Sequence, residues 1–508
     1  MKRKHLSWRK YHKWVGIVFC VFLLVFCASG IVLNHRTLFS PFDVNRSLLP
    51  PGYRVEQFNN GIVKGTERLP DGSIVAYGYG GTWLTDSTAA HWTDFNAGFP
   101  SGVDRRNVRN LVRTKDGVMW CATNFAVFRH DGKRWTAVEL PKADERLMDL
   151  TLAEDSLTLV ALTRSAVYVI PHTSGNAPIY SKVQRHELKA AKNFKPKETL
   201  FRTVWKLHSG ELFGLPGRLT VDAVAGVIIV LCITGIVLFV LPYSIRRNRR
   251  KGNNEACRRG SRRMVWHLTW HNRLGRWTIG FTLFLTFTGS CLRPPLMIPF
   301  VLFKTAPANF TYNAWNDRLR AIRWDRTAKA WLLHTADGFI YVDSAFQTEP
   351  VMLGASMAAP VSPMGANVFQ QETDGTWLIG SFSGLYRWQP ATGELADWFT
   401  GGAPELRFGG VVSQHLVSGY SAHFGNPVVF DYAAGANGGK PWMAQPEVLS
   451  EVPLSLWNFA LELHVGRCYA PLLGPLSELF VFLWGTLSTL VLLSGYIINR
   501  RMRKARKN

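Results

Sequence analysis

Four long stretches of the sequence are apolar enough to cross a lipid bilayer, which takes about 17–25 residues each. They run from Val15 to Leu33, from Ala223 to Leu241, from Trp277 to Phe303 and from Leu479 to Ile498. The third is interrupted by Arg293-Pro294-Pro295. Because proline removes a backbone hydrogen bond, we expect that helix to end or kink there. The sequence therefore predicts a membrane protein built on a bundle of four transmembrane helices.

The distribution of charge predicts the orientation of these helices. The 508 residues carry a formal net charge of +24, yet three short segments, 1–14, 242–276 and 499–508, account for most of it. They hold 23 basic residues and one acidic residue, Glu255. Short basic segments stay on the cytoplasmic side and contact lipid headgroups. We therefore expect a bacterial inner-membrane protein with both termini in the cytoplasm, membrane lipids as partners and no nucleic-acid partner.

The predicted organisation alternates membrane spans with large periplasmic segments. In chain order it comprises a basic head (1–14), span one (15–33), a periplasmic β-repeat domain (34–219), span two (220–241), a basic cytoplasmic loop (242–276), span three with its proline break (277–303), a second periplasmic β-repeat domain (304–475), span four (476–498) and a basic tail (499–508).

Short repeats predict that both periplasmic segments are rich in β-strands. Asp71-Gly72 and Asp116-Gly117 lie 45 residues apart, and Asp337-Gly338 and Asp374-Gly375 lie 37 residues apart. Asp-Gly between alternating apolar residues is typical of a hairpin turn, and this spacing fits one four-stranded propeller blade. Two arrangements remain open: one propeller built from both segments, or two separate β-rich modules. The tryptophans of the repeats are expected to pack inside the blades; they are Trp83, Trp92, Trp120, Trp135, Trp377 and Trp388.

Histidines recur at matching places in the two halves of the chain. The pattern His-x-x-x-Gly precedes spans one and three, and Leu-His-x-Gly precedes spans two and four. The matched residues are His12 with Gly16, His271 with Gly275, and His208 with His464. Imidazoles brought together between helices are the usual ligands of non-covalent haem iron. Intramembrane histidines are often functional, and the glycines are expected to leave a helix face open for a flat macrocycle.

Geometry limits which histidines can share a site. His12 and His35 are 23 residues apart on one helix, which corresponds to about 34 Å. His12 and His271 are expected near the cytoplasmic face, and His35, His208 and His464 near the external face. The sequence has no Cys-x-x-Cys-His, so covalently attached haem is excluded.

The histidine motifs and the two large external insertions resemble the PepSY-associated transmembrane helix family, which includes inner-membrane ferric-siderophore reductases. The resemblance covers the four spans and their flanks. It implies two b-type haems on paired histidines and electron transfer outward to iron(III) in a siderophore. His12 with His271 would hold the cytoplasmic haem iron, and His208 with His464 the external one. His35 and His267 are competing ligands at the two faces.

The chain departs from this family outside the membrane, where propeller-like repeats replace the expected module. Arg36 and Arg293 are placed to neutralise haem propionates or attract an anionic ferric chelate, or else to anchor the helices at the interface. No Gly-x-Gly-x-x-Gly follows a strand, so a cytoplasmic reductase or a membrane quinol must supply the electrons. The alternative is a haem-free sensor or scaffold whose propeller binds a ligand or partner.

Overall fold

The computed structural model describes residues 2–141, 145–172, 182–308, 311–362, 364–407, 410–411, 413–440 and 442–507. The chain divides into two compact units. The helical unit comprises Met1–Phe39, Lys197–Phe310 and Leu456–Asn508, and the β unit comprises Ser40–Pro196 and Thr311–Ser455. Each unit is therefore assembled from separate segments of the chain.

Three helical stretches in the described residues are long and apolar enough to span a membrane: Trp8–Asn34, Glu211–Arg250 and Leu479–Ala505. They contain the first, second and fourth predicted spans. The helices are α1 (Lys2–Asn34), α2 (Arg36–Phe39), α3 (Leu200–Ser209), α4 (Gly214–Arg250), α5 (Asn254–Trp277), α6 (Ile279–Cys291), α7 (Met297–Leu302), α8 (Glu447–Ser450), α9 (Leu456–Val465), α10 (Ala470–Leu473) and α11 (Leu476–Lys507).

The third predicted span is not one continuous helix. It divides into α6, which has 13 residues, and α7, which has 6. The break falls at Leu292–Leu296, because the two prolines there cannot supply the backbone N–H groups that a helix needs. The predicted kink is confirmed, but α6 is too short to count with the three long helices. The four-helix bundle stays a prediction.

The basic segment 242–276 is mostly helical, where a loop was expected. Helix α4 continues to Arg250, and α5 begins at Asn254 with the Asn253 side chain accepting a 3.0 Å hydrogen bond from the Ala256 amide. Arginine is a good helix former, so solvent-exposed basic runs extend helices readily. His267 and His271 consequently lie on α5.

The β unit contains, in its described residues, six antiparallel sheets of three or four strands and two further two-stranded pairs. Sheet 1 is β2 (Gly65–Arg68), β3 (Ile74–Gly78), β4 (Gly81–Thr85) and β5 (Trp92–Asp94). Sheet 2 is β6 (Val108–Arg113), β7 (Met119–Thr123), β8 (Val127–His130) and β9 (Trp135–Val138). Sheet 3 is β10 (Leu147–Leu152), β11 (Leu159–Thr163), β12 (Val167–Ile170) and β13 (Gln184–His186).

The second segment of the β unit provides the other three sheets. Sheet 4 is β16 (Leu319–Asp325), β17 (Ala330–Thr335), β18 (Gly338–Val342) and β19 (Val351–Met352). Sheet 5 is β20 (Val368–Gln371), β21 (Trp377–Ser381), β22 (Gly384–Gln389) and β23 (Glu394–Asp397), and sheet 6 is β26 (Val417–Ser421), β27 (Val428–Asp431) and β28 (Gly435–Ala436). Short pairs join β1 (Asp43–Val44) to β29 (Leu454–Ser455), β14 (Glu198–Thr199) to β15 (Lys304–Thr305), and β24 (Leu406–Arg407) to β25 (Gly410–Val411).

The predicted Asp-Gly turns are confirmed as hairpins. Gly72, Gly117 and Gly375 have φ of 88°, 90° and 88°, a left-handed conformation that glycine adopts without strain. Each joins the first two strands of its sheet. Asp337-Gly338 instead joins β17 to β18, so it does not occupy the same position in its repeat.

Each of the six sheets contacts the next one in chain order, and the sixth also contacts the first. The hydrogen bonds that join neighbouring sheets include Lys64 to Asn107 (2.7 Å), Asn110 to Leu150 (2.7 Å), Ile322 to Asp149 (3.0 Å), Arg326 to Gln371 (3.0 Å), Asn367 to Val417 (2.8 Å) and Tyr420 to Lys64 (3.1 Å). The two segments therefore share one packed unit. Five of the six predicted packing tryptophans are buried, and Trp92 is partly exposed.

Burial of His334 makes the stability of the β unit depend on pH. The side chain is 5% exposed on β17 and packs against Phe339, and burial, with a smaller contribution from Arg320, lowers its pKa to about 3. Below about pH 6.5 the unfolded chain binds a proton that the folded chain does not. The free energy of unfolding therefore decreases as the pH is lowered from about 6.5 towards 3.

We predict that lowering the pH from 7.5 to 5 reduces the free energy of unfolding by about 2 kcal/mol through His334. The urea midpoint, followed by tryptophan fluorescence, should shift less with pH in His334→Leu than in the wild type. The exposed His91 provides the control, because His91→Gln should keep the wild-type dependence. Equal pH dependence in His334→Leu and the wild type would contradict the prediction.

Candidate functional site

Four histidines of the helical unit form two pairs. The ring centroids of His12 and His271 lie 6.2 Å apart, and those of His208 and His464 also lie 6.2 Å apart. The first pair joins α1 and α5, and the second joins α3 and α9. The pairing expected from the sequence is therefore the pairing that the structure has.

Each of the four imidazoles is fixed by a hydroxyl group on another helix. The Nδ1–hydroxyl distances are 3.0 Å for His12 to Ser494, 2.9 Å for His271 to Thr234, 3.1 Å for His208 to Thr288 and 3.0 Å for His464 to Ser29. The hydroxyl-bearing helices are, in that order, α11, α4, α6 and α1. One interaction thus positions every candidate ligand.

These contacts set the tautomer of the imidazoles. The Nδ1 of His12 lies 3.2 Å from the carbonyl of Val491, and that of His464 lies 3.0 Å from the carbonyl of Phe26. A carbonyl can only accept, so Nδ1 carries the proton in both rings. The hydroxyls of Thr234 and Thr288 already donate to carbonyls of their own helices, so they accept from His271 and His208. The Nε2 lone pair is then available on all four rings.

A glycine follows each hydroxyl residue and lets the ring approach the helix. A Cβ placed on Gly495 or Gly289 would lie 2.9 Å from His12 Cε1 or 3.0 Å from His208 Cε1. A Cβ placed on Gly30 would lie 3.3 Å from His464 Cε1, and one placed on Gly235 would lie 3.7 Å from His271 Cε1. The first three distances are closer than ordinary van der Waals contact, so a larger residue there would displace its histidine.

The sequence signal for these positions is a Ser-Gly or Thr-Gly dipeptide within each predicted span. The four dipeptides are Ser29-Gly30, Thr234-Gly235, Thr288-Gly289 and Ser494-Gly495. These four hydroxyl residues were not among the predicted site residues. A hydroxyl side chain followed by glycine is unremarkable in one apolar helix, but its recurrence in all four spans matches the recurrence of the histidines.

The residues present fit a bis-histidine haem site. A bond from an imidazole nitrogen to a first-row metal ion is about 2.0–2.1 Å long, so two rings on opposite sides of one ion have centroids about 6 Å apart. The observed 6.2 Å agrees with this value in both pairs. No group of three or more possible metal-binding side chains exists in the part of the chain that the structure describes. Each pair thus offers two imidazoles.

Burial keeps the second pair uncharged. It lowers the pKa of both His208 and His464 to about 4, and a smaller contribution to His208 comes from His464 itself. Both rings are neutral at pH 7, which is the form that binds a metal ion.

Gly16 and Gly275 do not leave an open helix face, in contrast to the expectation from the sequence. A Cβ on Gly16 would contact Val491 at 3.7 Å, and one on Gly275 would contact Leu231 at 3.6 Å. These glycines allow α1 to approach α11 and α5 to approach α4 closely.

The two competing histidines are placed differently from the paired ones. His35 Nε2 lies 2.6 Å from a carboxylate oxygen of Asp222, whose other oxygen accepts from the Asn34 side chain at 3.0 Å. The nitrogen that would bind iron is therefore engaged. His267 lies one turn before His271 and packs edge-on against Trp266.

The two predicted arginines contact protein groups in the helical unit. The guanidinium of Arg36 lies 3.9 Å from the ring centroid of Trp457, and Arg293 donates a 2.5 Å hydrogen bond to the carbonyl of Val465, next to His464. Both arginines thus contact α9, the helix that bears His464, and Arg293 does so at the residue next to His464.

The two histidine pairs lie toward opposite ends of α1. His12 and Ser29, the partner of His464, are 17 residues apart, or about 25 Å along a straight helix. Aromatic rings occupy the intermediate level, where Trp484 packs at centroid distances of 4.1 Å from Phe19 and 4.8 Å from Phe22.

The long apolar helices define a membrane protein, and its helical unit holds four imidazoles in two pairs. Residues 1–241 match the family model described as the PepSY-associated TM region. The family resemblance read from the histidine motifs is confirmed over these residues. No curated protein matches the chain.

Solved structures of low similarity include extracellular domains from B. thetaiotaomicron. The domain of the putative hybrid two component system BT4673 has a TM-score of 0.36 and 10% identity, covering 74% of this chain and 35% of that one. The domain of the putative one component system BT4673 has a TM-score of 0.34 and 9% identity, covering 80% of this chain and 44% of that one. The domain of the putative hybrid two component system BT3049 has a TM-score of 0.32 and 10% identity, covering 74% of this chain and 38% of that one. The chain thus spans less than half the length of these structures.

We predict that Gly495→Ala destabilises the helical unit by about 1–3 kcal/mol, because the added methyl overlaps the His12 ring. Gly226 on α4 has no atom within 4 Å of a Cβ placed on it, so Gly226→Ala should leave stability unchanged or raise it. Thermal unfolding of the detergent-solubilised protein measures both variants. Equal midpoints for the two would show that the close approach of His12 to α11 is not present in solution.

Proposed function

We propose that this protein holds one haem b on each histidine pair and passes electrons across the bacterial inner membrane to a ferric complex of the siderophore type. The observation that supports this proposal is the fourfold repetition of one arrangement. Each of four imidazoles donates Nδ1–H to a neighbouring helix and keeps Nε2 available, and the rings form two pairs of equal spacing.

The protein's own residues orient the ligands and exclude water. The hydroxyl partners fix the ring orientation and raise the basicity of Nε2, as acceptors of the other ring proton do in metal sites generally. Neutral His208 and His464 would hold the haem iron without first losing a proton. Haem, when bound, would supply one-electron oxidation and reduction at its iron.

The positions of the pairs support transfer across the membrane. They lie toward opposite ends of α1, with the rings of Phe19, Phe22 and Trp484 between their levels. The basic segments support cytoplasmic termini, which would place the His12 pair near the cytoplasm. A cytoplasmic reductase or a quinol would then reduce the protein from that side.

The β unit is proposed to be a six-bladed propeller that meets the ferric complex. The support is the succession of six sheets in which the last contacts the first. Strands from both segments share this unit, which favours one combined propeller over two separate modules.

The second candidate function is that of a haem-free sensor or scaffold. It is favoured by the size of the β unit, which includes more than half of the chain and has its own apolar cores around Trp315 and Trp377. In this case the β unit would bind a ligand or partner, and the paired histidines would only join the helices.

Haem content distinguishes the two candidates. We predict that protein purified in mild detergent, after expression with haem available, contains about two haems b per chain by pyridine haemochrome titration. His12→Ala and His208→Ala should each remove about one haem, because each breaks a different pair. Reduction of ferric citrate by the haem-loaded protein in proteoliposomes then tests the reaction itself.

Two histidines of the same unit supply matched controls. His267→Ala and His35→Ala should keep about two haems, since His267 lies one turn from the pair and His35 is bonded to Asp222. A colourless wild-type protein would overturn the haem proposal and favour the sensor. Loss of haem in the control variants to the same degree as in His12→Ala would overturn the assigned pairs.

A further inference from the structure

Helix α5 exposes a row of arginine and tryptophan side chains along one side. Arg262, Trp266, Trp270, Arg273 and Trp277 follow one another at spacings of four, four, three and four residues. Residues three or four positions apart are neighbours on the surface of a helix. The three tryptophans are, in chain order, 57%, 37% and 57% exposed, and both arginines are exposed. We call this row the outer stripe.

The other side of α5 packs against the rest of the helical unit. A Cβ placed on Gly260 would lie 2.8 Å from the Ile245 side chain of α4, and one placed on Gly275 would lie 3.6 Å from Leu231 of the same helix. These two contacts are 15 residues apart on α5, so they fix which side of the helix faces α4 along most of its length. The outer stripe is the side that no described residue covers.

Ring contacts hold the lower arginine of the stripe in place. The Arg273 guanidinium lies 5.4 Å from the ring centroid of Trp270 and 4.3 Å from that of Trp277. Both distances are within the range of a cation–π interaction. The rings of Trp266 and Trp270 are themselves 6.3 Å apart. One cation is thus positioned between two indole rings, with a third ring beside them.

The arginines of the stripe keep their hydrogen-bond donors available. Glu255 is the one acidic residue of the basic segment 242–276, and it pairs with Arg259 at 3.2 Å. In the described part of the chain, the side chains of Arg262, Arg263 and Arg273 form neither an ion pair nor a hydrogen bond. A guanidinium group carries five N–H donors in a planar arrangement that matches a phosphate group.

The stripe lies at the level where a bilayer has its headgroups. Trp277 is the first residue of the third predicted span, and Thr278 alone separates α5 from α6. Along the helix, Arg273 is about 6 Å and Trp270 about 10 Å from Trp277. The headgroup layer is about 5–8 Å thick on each side of a bilayer. Helical side chains point toward the N-terminus of their helix, which directs Arg273 away from the apolar core.

The composition of the stripe fits this level. Tryptophan is enriched at membrane interfaces, where its ring is apolar and its N–H is polar, and arginine extends its charge toward the headgroups. Arg262 and Arg263 lie about 10–12 Å beyond Trp270, which is about one Debye length. The basic segment therefore attracts anions to the stripe without contacting them directly.

We propose that Trp270, Arg273 and Trp277 form a binding site for one anionic phospholipid, with the lipid phosphate on the Arg273 guanidinium. Charge alone predicts contact with headgroups in general, whereas this arrangement selects an anionic lipid over a zwitterionic one. An acidic soluble protein would match the charge but not the row of indole rings. Neither histidine pair takes part, so the proposal does not depend on haem.

Native mass spectrometry of the full-length protein tests the site. Delipidated protein in detergent is titrated with phosphatidylglycerol or with phosphatidylcholine of the same acyl chains. The first phosphatidylglycerol should bind about fivefold tighter or more, because one arginine near a headgroup contributes about this factor. Equal affinities for the two lipids would overturn the proposal. So would tighter binding of a hexaglutamate peptide than of phosphatidylglycerol, which would assign the stripe to an acidic protein.

Variants of one residue separate the site from charge in general. Arg273→Gln should lose about fivefold in affinity for phosphatidylglycerol, and Arg273→Lys, which keeps the charge, should lose less. Arg134→Gln removes the same charge from an exposed position of the β unit and should bind as the wild type does. Unchanged binding of phosphatidylcholine reports that the helical unit stays folded. Equal phosphatidylglycerol affinities in Arg273→Gln and Arg134→Gln would contradict the assigned residue.

Discussion

The hydrogen bond from an imidazole Nδ1 to a hydroxyl one helix away is the interaction on which the helical unit depends. It occurs four times, with His12, His208, His271 and His464, and each occurrence joins a different pair of helices. The bond holds the ring, selects its tautomer and leaves the other nitrogen available. Glycine beside each hydroxyl lets the ring lie against the backbone. Packing and ligand chemistry are thus determined by the same few atoms.

The features that follow from one local sequence pattern could be predicted from the sequence. Hydropathy located three spans, and the repeated His-x-x-x-Gly and Leu-His-x-Gly motifs identified the histidines that pair. It failed where a residue acts through a distant neighbour. Gly16 faces Val491, 475 residues later in the chain, so no local pattern reveals that it serves helix packing. The hydroxyl partners were missed for the same reason.

In the β unit, too, local features could be predicted from the sequence and long-range contacts could not. Asp-Gly turns are local, and their positions in sequence gave the hairpins. The hydrogen bond from Lys64 to Asn107 forms only when sheets 1 and 2 align their first strands, because the two residues lie 43 positions apart in the sequence.

The β unit is assembled from two segments separated by 114 residues of helical unit, from Lys197 to Phe310. Sheets 1 to 3 are synthesised first, and neither sheet 1 nor sheet 3 can meet its partner from the second segment until those helices have been made. At about 5–20 residues per second this delay lasts several seconds or more. During that time apolar edges stay uncovered, so correct insertion of the intervening helices becomes a checkpoint for maturation of the whole chain.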